Sequence, residues 1–156
     1  MCSAHAAVRG FVGELVGARD GGDVLLDMEA GLEHLSRGTG RHVDTAVAVL
    51  EPYYRALETG RRVVELAHEL GIGRVVALAN KVRTEEDREA LREYCERHSL
   101  ELLGEVPFDE TLLAAERAGV PPVDYAPDAP AVRAVEAAAA ALLRGDTTSP
   151  GQEVTA

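Results

Sequence analysis

Three short polar segments follow apolar runs in this chain, and each carries side chains that could bind a ligand. In chain order they are Asp27, the pair Asn80 and Lys81, and the turn formed by Pro107, Phe108 and Asp109. Brought together, an acid, an amide beside a lysine, and a turn that combines proline, an aromatic ring and an acid could hold Mg²⁺, a nucleobase and a phosphate. Such chemistry requires a scaffold that places the three segments side by side.

The apolar runs before these segments are typical of buried parallel strands, and helical patterns alternate with them. We predict an α/β fold with a partial doubly wound parallel sheet of about four strands and flanking helices. The predicted strands cover residues 23–28, 45–50, 74–79 and 100–106; the predicted helices cover residues 3–16, 54–70, 110–118 and 130–144, and one more begins at Thr84. In such sheets ligands bind beyond the carboxyl ends of the strands, which is where the three polar segments lie.

Residues 1–144 are predicted to form one domain, and the polar residues 145–156 a disordered tail. Purely structural roles stay open for the acids. Asp27 could cap the segment that follows it, and Asp109 is well placed to cap the helix over residues 110–118. Cys95 lies on an apolar helical stripe and is expected to be a small core residue.

Composition excludes several classes of function. The formal net charge of −11 argues against binding to nucleic acids or to an anionic membrane surface. No apolar run approaches the length of about 20 residues that a membrane span needs. The two cysteines make no disulfide framework and favour a reducing cytoplasm.

A phosphate-binding loop of the form G-x-x-x-x-G-K-[ST] does not occur in the sequence. Gly38, Thr39 and Gly40 lack the lysine, and the spaced glycines near the start lie in a helical pattern. The strand-end residues therefore look like part of a nucleotide site without its phosphate cradle.

Four segments carry a family resemblance. Residues 27–39 read D-M-E-A-G-L-E-H-L-S-R-G-T and resemble the switch II segment of CooC-type ATPases, the nickel-inserting maturation factors of carbon monoxide dehydrogenase. These belong to the MinD/ParA group of deviant-Walker P-loop ATPases. Residues 51–59 (E-P-Y-Y-R-A-L-E-T), 80–82 (N-K-V) and 106–109 (V-P-F-D) resemble later segments of the same family, in the same order.

The resemblance implies roles for individual residues. Asp27 would act in catalysis by holding Mg²⁺ through water. Asn80 would face adenine, and Lys81, Pro107, Phe108 and Asp109 would line the base pocket. Arg83 stands where a guanine-binding protein has aspartate, so that ATP or ADP is favoured. Cys2 would be one ligand of a metal, Ni²⁺ or Zn²⁺, at a dimer interface.

The resemblance also implies that the family's P-loop lies upstream of Met1, so the chain is expected to be the carboxyl-terminal part of such a protein. Its complete form would be a cytoplasmic homodimer that inserts nickel into a carbon monoxide dehydrogenase-like client. The chain alone is expected not to hydrolyse ATP.

A non-enzymatic remnant with a dimerisation or partner-binding role is the alternative. A response-regulator-like domain is disfavoured, because the acidic pair of its first strand is missing.

Overall fold

The computed structural model describes residues 23–27 and 43–144. Within them it contains the strands β1 (Thr45–Leu50), β2 (Arg74–Val82) and β3 (Glu101–Pro107), and the helices α1 (Tyr54–Glu69), α2 (Glu85–Arg97), α3 (Glu110–Ala118), α4 (Pro122–Tyr125) and α5 (Pro130–Arg144). The predictions for Cys2, for the helix over residues 3–16, for residues 28–40 and for the tail lie outside the described residues.

The sheet has three strands in the order β1-β2-β3, and β2 pairs in parallel with β3. Helices separate consecutive strands, which confirms the predicted α/β class with a parallel sheet. The register places Val76 opposite Glu101 and Val82 opposite Pro107. It shifts twice on the way, and the second shift falls between Ala79 and Val82.

The predicted strand over residues 23–28 is wrong for the residues described there. Residues 23–27 form no strand, and the side chains of Val24 and Leu25 are 52% and 89% exposed. A strand is held by ladder hydrogen bonds to a neighbour, and no strand of the described sheet pairs with this segment. The apolar run therefore does not occupy the buried position in a sheet that the sequence predicts for it.

The described chain divides into two compact units. The first includes residues 23–27, 43–46 and 62–75. Here helix α1 ends at Glu69, and the chain turns at Gly71, whose φ of +76° suits glycine. The N–H of Ile72 donates to the carbonyl of Ala67 at 3.1 Å, and that of Gly71 to His68 at 3.0 Å. This pair of bonds is a Schellman ending, which satisfies two carbonyls at the end of the helix.

The second unit, residues 47–61 and 76–144, contains the core beneath the predicted site. Val76, Leu103 and Ala138 form a buried cluster that joins β2, β3 and α5. Helices α2 and α5 both pack on β3. In α5 the small side chains of Ala131 and Ala138 are buried, whereas the larger ones of Val135 and Leu143 are exposed.

The start of α2 follows the sequence pattern closely. The Thr84 hydroxyl accepts a hydrogen bond from the Asp87 N–H, and the Asp87 carboxylate accepts one from the Thr84 N–H, so that a capping box is present where the helix was predicted to begin. Leu91, Tyr94 and Cys95 are buried, as their spacing predicts. No helix in the described residues is long and apolar enough to cross a membrane.

Candidate functional site

The ends of β2 and β3 bring four of the predicted site residues into one place. Asn80 and Lys81 lie within β2 rather than beyond it, because the strand continues to Val82. Pro107 ends β3 opposite Val82, and the Phe108 N–H donates to the Val82 carbonyl at 2.9 Å. The two strand ends are thus joined by the backbone itself.

Lys81 has an unusual backbone. Its φ is +58°, in the left-handed region that a lysine rarely adopts. It coincides with the second register shift, where β2 carries one more residue than β3. The Lys81 N–H donates to Oδ1 of Asn80 at 3.0 Å. This is a β-bulge, a device that re-aims side chains and is frequent beside functional sites.

The end of β1 reaches the same bulge through a salt bridge. Glu51 follows β1, and its Oε1 lies 2.6 Å from Nζ of Lys81. Both side chains keep contact with solvent, so the pair adds little to stability. Its effect is to fix where the Lys81 ammonium lies. Glu51 directly follows the predicted strand over residues 45–50, but only the structure shows its partner.

Arg83 and Phe108 form a cation–π pair. The guanidinium carbon lies 3.4 Å from the centre of the Phe108 ring. The Arg83 N–H donates to Oδ2 of Asp87 at 3.0 Å, which fixes the backbone below the side chain. We had expected Phe108 to line a base pocket; the structure places Arg83 over one face of its ring. Sequence reasoning gave Arg83 no binding role, because no pattern signals a stack between residues 25 positions apart.

Asp109 is engaged in holding helices. It caps α3, since its Oδ1 accepts from the Thr111 N–H at 2.9 Å. Its Oδ2 accepts from the Ala131 N–H at 3.3 Å, at the start of α5. The hydrogen bonds from Thr111 lower the pKa of Asp109, and the one from Ala131 adds to the effect. The structure thus shows the capping role that the sequence left open, and a role in the base pocket stays a prediction.

Asp27 is exposed and belongs to the first compact unit, and Cys2 lies outside the described residues. Across residues 23–27 and 43–144, no three His, Cys, Asp or Glu side chains are grouped so as to hold a metal ion. An exposed carboxylate such as that of Asp27 fits Mg²⁺, which usually keeps several waters. It does not fit a soft metal, which needs thiolate or imidazole ligands.

Taken together, the strand ends offer an amide, two cationic groups and an aromatic ring on a backbone fixed by hydrogen bonds. None of these groups is a nucleophile paired with a base, so the arrangement suits recognition of a planar ligand better than covalent catalysis. The Lys81 ammonium is already neutralised by Glu51, which leaves it less available to a phosphate.

Known proteins with similar sequences include a carbon monoxide dehydrogenase accessory protein and an ATP-binding protein. No family model matches the chain. The chain is 38% identical over 127 residues to the carbon monoxide dehydrogenase accessory protein CooC of Rhodospirillum rubrum, which covers 81% of this chain and 47% of that protein. It is 41% identical over 122 residues to an uncharacterized ATP-binding protein of Methanocaldococcus jannaschii, with 78% and 47% covered. The chain thus spans about half the length of these relatives.

Solved structures of MinD are similar in fold. The cell division protein MinD of Aquifex aeolicus matches 95% of this chain and 64% of its own, with a TM-score of 0.74 and 18% identity. MinD of Pyrococcus horikoshii, solved in complex with Mg-ADP, matches 90% and 58%, with a TM-score of 0.71 and 20% identity. The chain is therefore a homologue of CooC and shares the α/β fold of MinD.

Proposed function

We propose that this chain is the carboxyl-terminal portion of a CooC-like ATP-binding accessory protein and supplies the part that recognises the nucleotide base. The observation that carries the proposal is the joining of the β2 and β3 ends, which groups Asn80, Lys81 and Phe108 on a backbone fixed without ligand. Homology to CooC and to an ATP-binding protein supports the choice of ligand. Residues 1–144 form the folded portion and residues 145–156 the tail.

Recognition of adenine follows from the donors that remain available. The Asn80 carbonyl oxygen already accepts from Lys81, so the Asn80 amide group is left to donate to a ring nitrogen of a purine. Guanine presents two donors, N1–H and the 2-amino group, which an acid would accept. Arg83 replaces that acid and has no acceptor, so guanine loses this interaction and adenine does not.

Hydrolysis needs groups that this sequence does not contain. Phosphoryl transfer depends on backbone amides and a lysine that cradle the phosphates, and no G-x-x-x-x-G-K-[ST] occurs here. Mg²⁺ would supply charge neutralisation at the phosphates, with Asp27 holding it through water. We expect the chain to bind nucleotide weakly and to show no turnover by itself.

In the complete protein, the same residues would couple ATP binding to nickel delivery. That protein would be a cytoplasmic homodimer, with Cys2 contributing to a Ni²⁺ or Zn²⁺ site between subunits, and its client would be a carbon monoxide dehydrogenase-like enzyme. The homology to the CooC accessory protein is what supports this finer assignment.

The test is a titration of the isotope-labelled chain with ADP and with GDP, followed by NMR. Base contacts alone should give a Kd on the order of 1 mM for ADP, and weaker binding of GDP. Asn80→Ala should weaken ADP binding by about fivefold, since a hydrogen bond contributes about 1 kcal/mol. Equal binding of GDP, or no binding of ADP at all, would contradict the proposal. ATP turnover that disappears in Asp27→Ala would contradict the expected lack of activity.

The alternative is a non-enzymatic domain that dimerises or binds a partner. It is favoured by Tyr53 and Tyr54, which lie just before α1 and at its start and are 53% and 83% exposed. Exposed tyrosines are frequent at protein interfaces. A dimer in sedimentation that dissociates on Tyr54→Ser, without any binding of ADP, would favour this alternative.

A further inference from the structure

Arg83 differs from three other arginines of the second unit in how its charge is used. Arg88 and Arg92 both pair with Glu105, and Arg133 pairs with Asp128. Among residues 23–27 and 43–144, no carboxylate pairs with the Arg83 side chain, which lies on the Phe108 ring. Arg83 is exposed. One face of its guanidinium is therefore covered by the ring, and its charge stays available to a ligand.

The backbone around this pair is fixed from three directions. Asp87 holds the Arg83 N–H, the Val82 carbonyl holds the Phe108 N–H, and the bulge at Lys81 is closed by Asn80. All of these bonds exist without a ligand. A surface that is already ordered loses less conformational entropy when something binds to it.

We propose that the outer face of the Arg83 guanidinium is the surface on which the purine base stacks, with Phe108 beneath it. This rests on the proposed function and adds a residue to it. A guanidinium is planar and delocalised, and it stacks on aromatic rings and on nucleobases. Phe108 then contributes to the base site by holding Arg83 flat, and Arg83 is the residue that contacts the base.

The arrangement also explains why a lysine would be a poor replacement at this position. A lysine keeps the charge but presents no plane. Loss of stacking on Arg83→Lys, with charge retained, separates stacking from simple attraction between Arg83 and the phosphates of a nucleotide.

The experiment uses adenosine as its first probe, because adenosine is uncharged and reports on the base alone. The full chain, Arg83→Ala, Arg83→Lys and Arg97→Ala are titrated with adenosine and with ADP by NMR. Arg97 is the matched control, because it is an exposed arginine at the end of α2 and its loss changes the net charge equally. Thermal unfolding of each variant confirms that it is folded.

Because base stacking contributes strongly to binding affinity, both Arg83→Ala and Arg83→Lys should weaken adenosine binding by about fivefold or more. Arg97→Ala should bind adenosine as the parent does. Unchanged adenosine binding by Arg83→Ala would overturn the inference and leave the proposed function standing. Weaker binding of ADP but not of adenosine would also overturn it, since Arg83 would then act on the phosphates. A parent chain that binds neither probe would overturn both.

Discussion

Gly60 provides a sharp test of the packing that supports the site. It lies in α1 and is buried against Leu50, the last residue of β1. Leu50 immediately precedes Glu51 in the chain. A Cβ built at Gly60 would lie 2.2 Å from Cδ2 of Leu50, and Leu50 is fully buried. Carbon atoms in contact prefer about 3.5–4.0 Å, so the Leu50 methyl group would have to move by more than about 1 Å.

The expected magnitude follows from two opposing effects. Overpacking of this kind costs about 1–3 kcal/mol. Alanine in the middle of a helix is favoured over glycine by about 0.5–1 kcal/mol. Gly60→Ala should therefore lower the free energy of unfolding by about 1 kcal/mol, since the clash exceeds the gain in helix propensity.

The assay is urea denaturation followed by circular dichroism, on the parent, Gly60→Ala, Leu50→Ala and the double variant. With the Leu50 side chain shortened, the clash is gone and only the helix propensity remains. Gly60→Ala should then raise the free energy of unfolding by about 0.5–1 kcal/mol in the Leu50→Ala background. A Gly60→Ala variant at least as stable as the parent, with the same effect in both backgrounds, would refute the close approach of α1 to Leu50.

Two further predictions concern titratable groups. Because the pKa of Asp109 is lowered in the folded protein, its contribution to stability is present above its unfolded pKa of about 3.9 and is lost as the pH falls through the lower, folded value. Asp109→Asn keeps a capping oxygen but not the charge, so its melting temperature should fall less below pH ~4 than that of the parent; parallel curves would show that the carboxylate is not engaged. Burial raises the pKa of the Cys95 thiol to about 11, so in the Cys2→Ser variant a thiol reagent at pH ~8 should react only on unfolding. Fast labelling of that variant in its native state would contradict the burial of Cys95.

Local patterns predicted much of the fold. The strand Thr45–Leu50 and the helices Glu110–Ala118 and Pro130–Arg144 have the predicted bounds. Each is marked by apolar residues at a clear period and by a proline, acid or glycine at its ends. The start of α2 at Thr84 was equally predictable, because both partners of its capping box lie within one turn of sequence.

The failures came where structure depends on distant residues. The apolar run before Asp27 looks like a buried strand, but a strand exists only with a neighbour, and sequence does not show which neighbour is present. The short helix Pro122–Tyr125 was missed, since one turn leaves no periodic signal. Strand β2 runs past Asn80 to Val82, and Lys81 within it adopts a positive φ that its residue type does not suggest.

For the site, residue types were predictable and their partners were not. Asn80, Lys81 and Phe108 were found from the polar segments that follow apolar runs and from the family resemblance. The contacts of Lys81 with Glu51 and of Arg83 with Phe108 join residues 30 and 25 positions apart, and they depend on strand order and register. Sequence periodicity carries no information about either.

The carboxylate of Asp109 links the first turns of two helices that are separate in sequence. One of its oxygens holds Thr111 at the start of α3, and the other holds Ala131 at the start of α5. Fraying of either helix start therefore loosens the carboxylate whose other oxygen holds the other helix start. The amides of Thr111 and Ala131 are accordingly coupled in their local opening. A fluctuation at the start of α5 would be transmitted to Phe108, the residue immediately before Asp109.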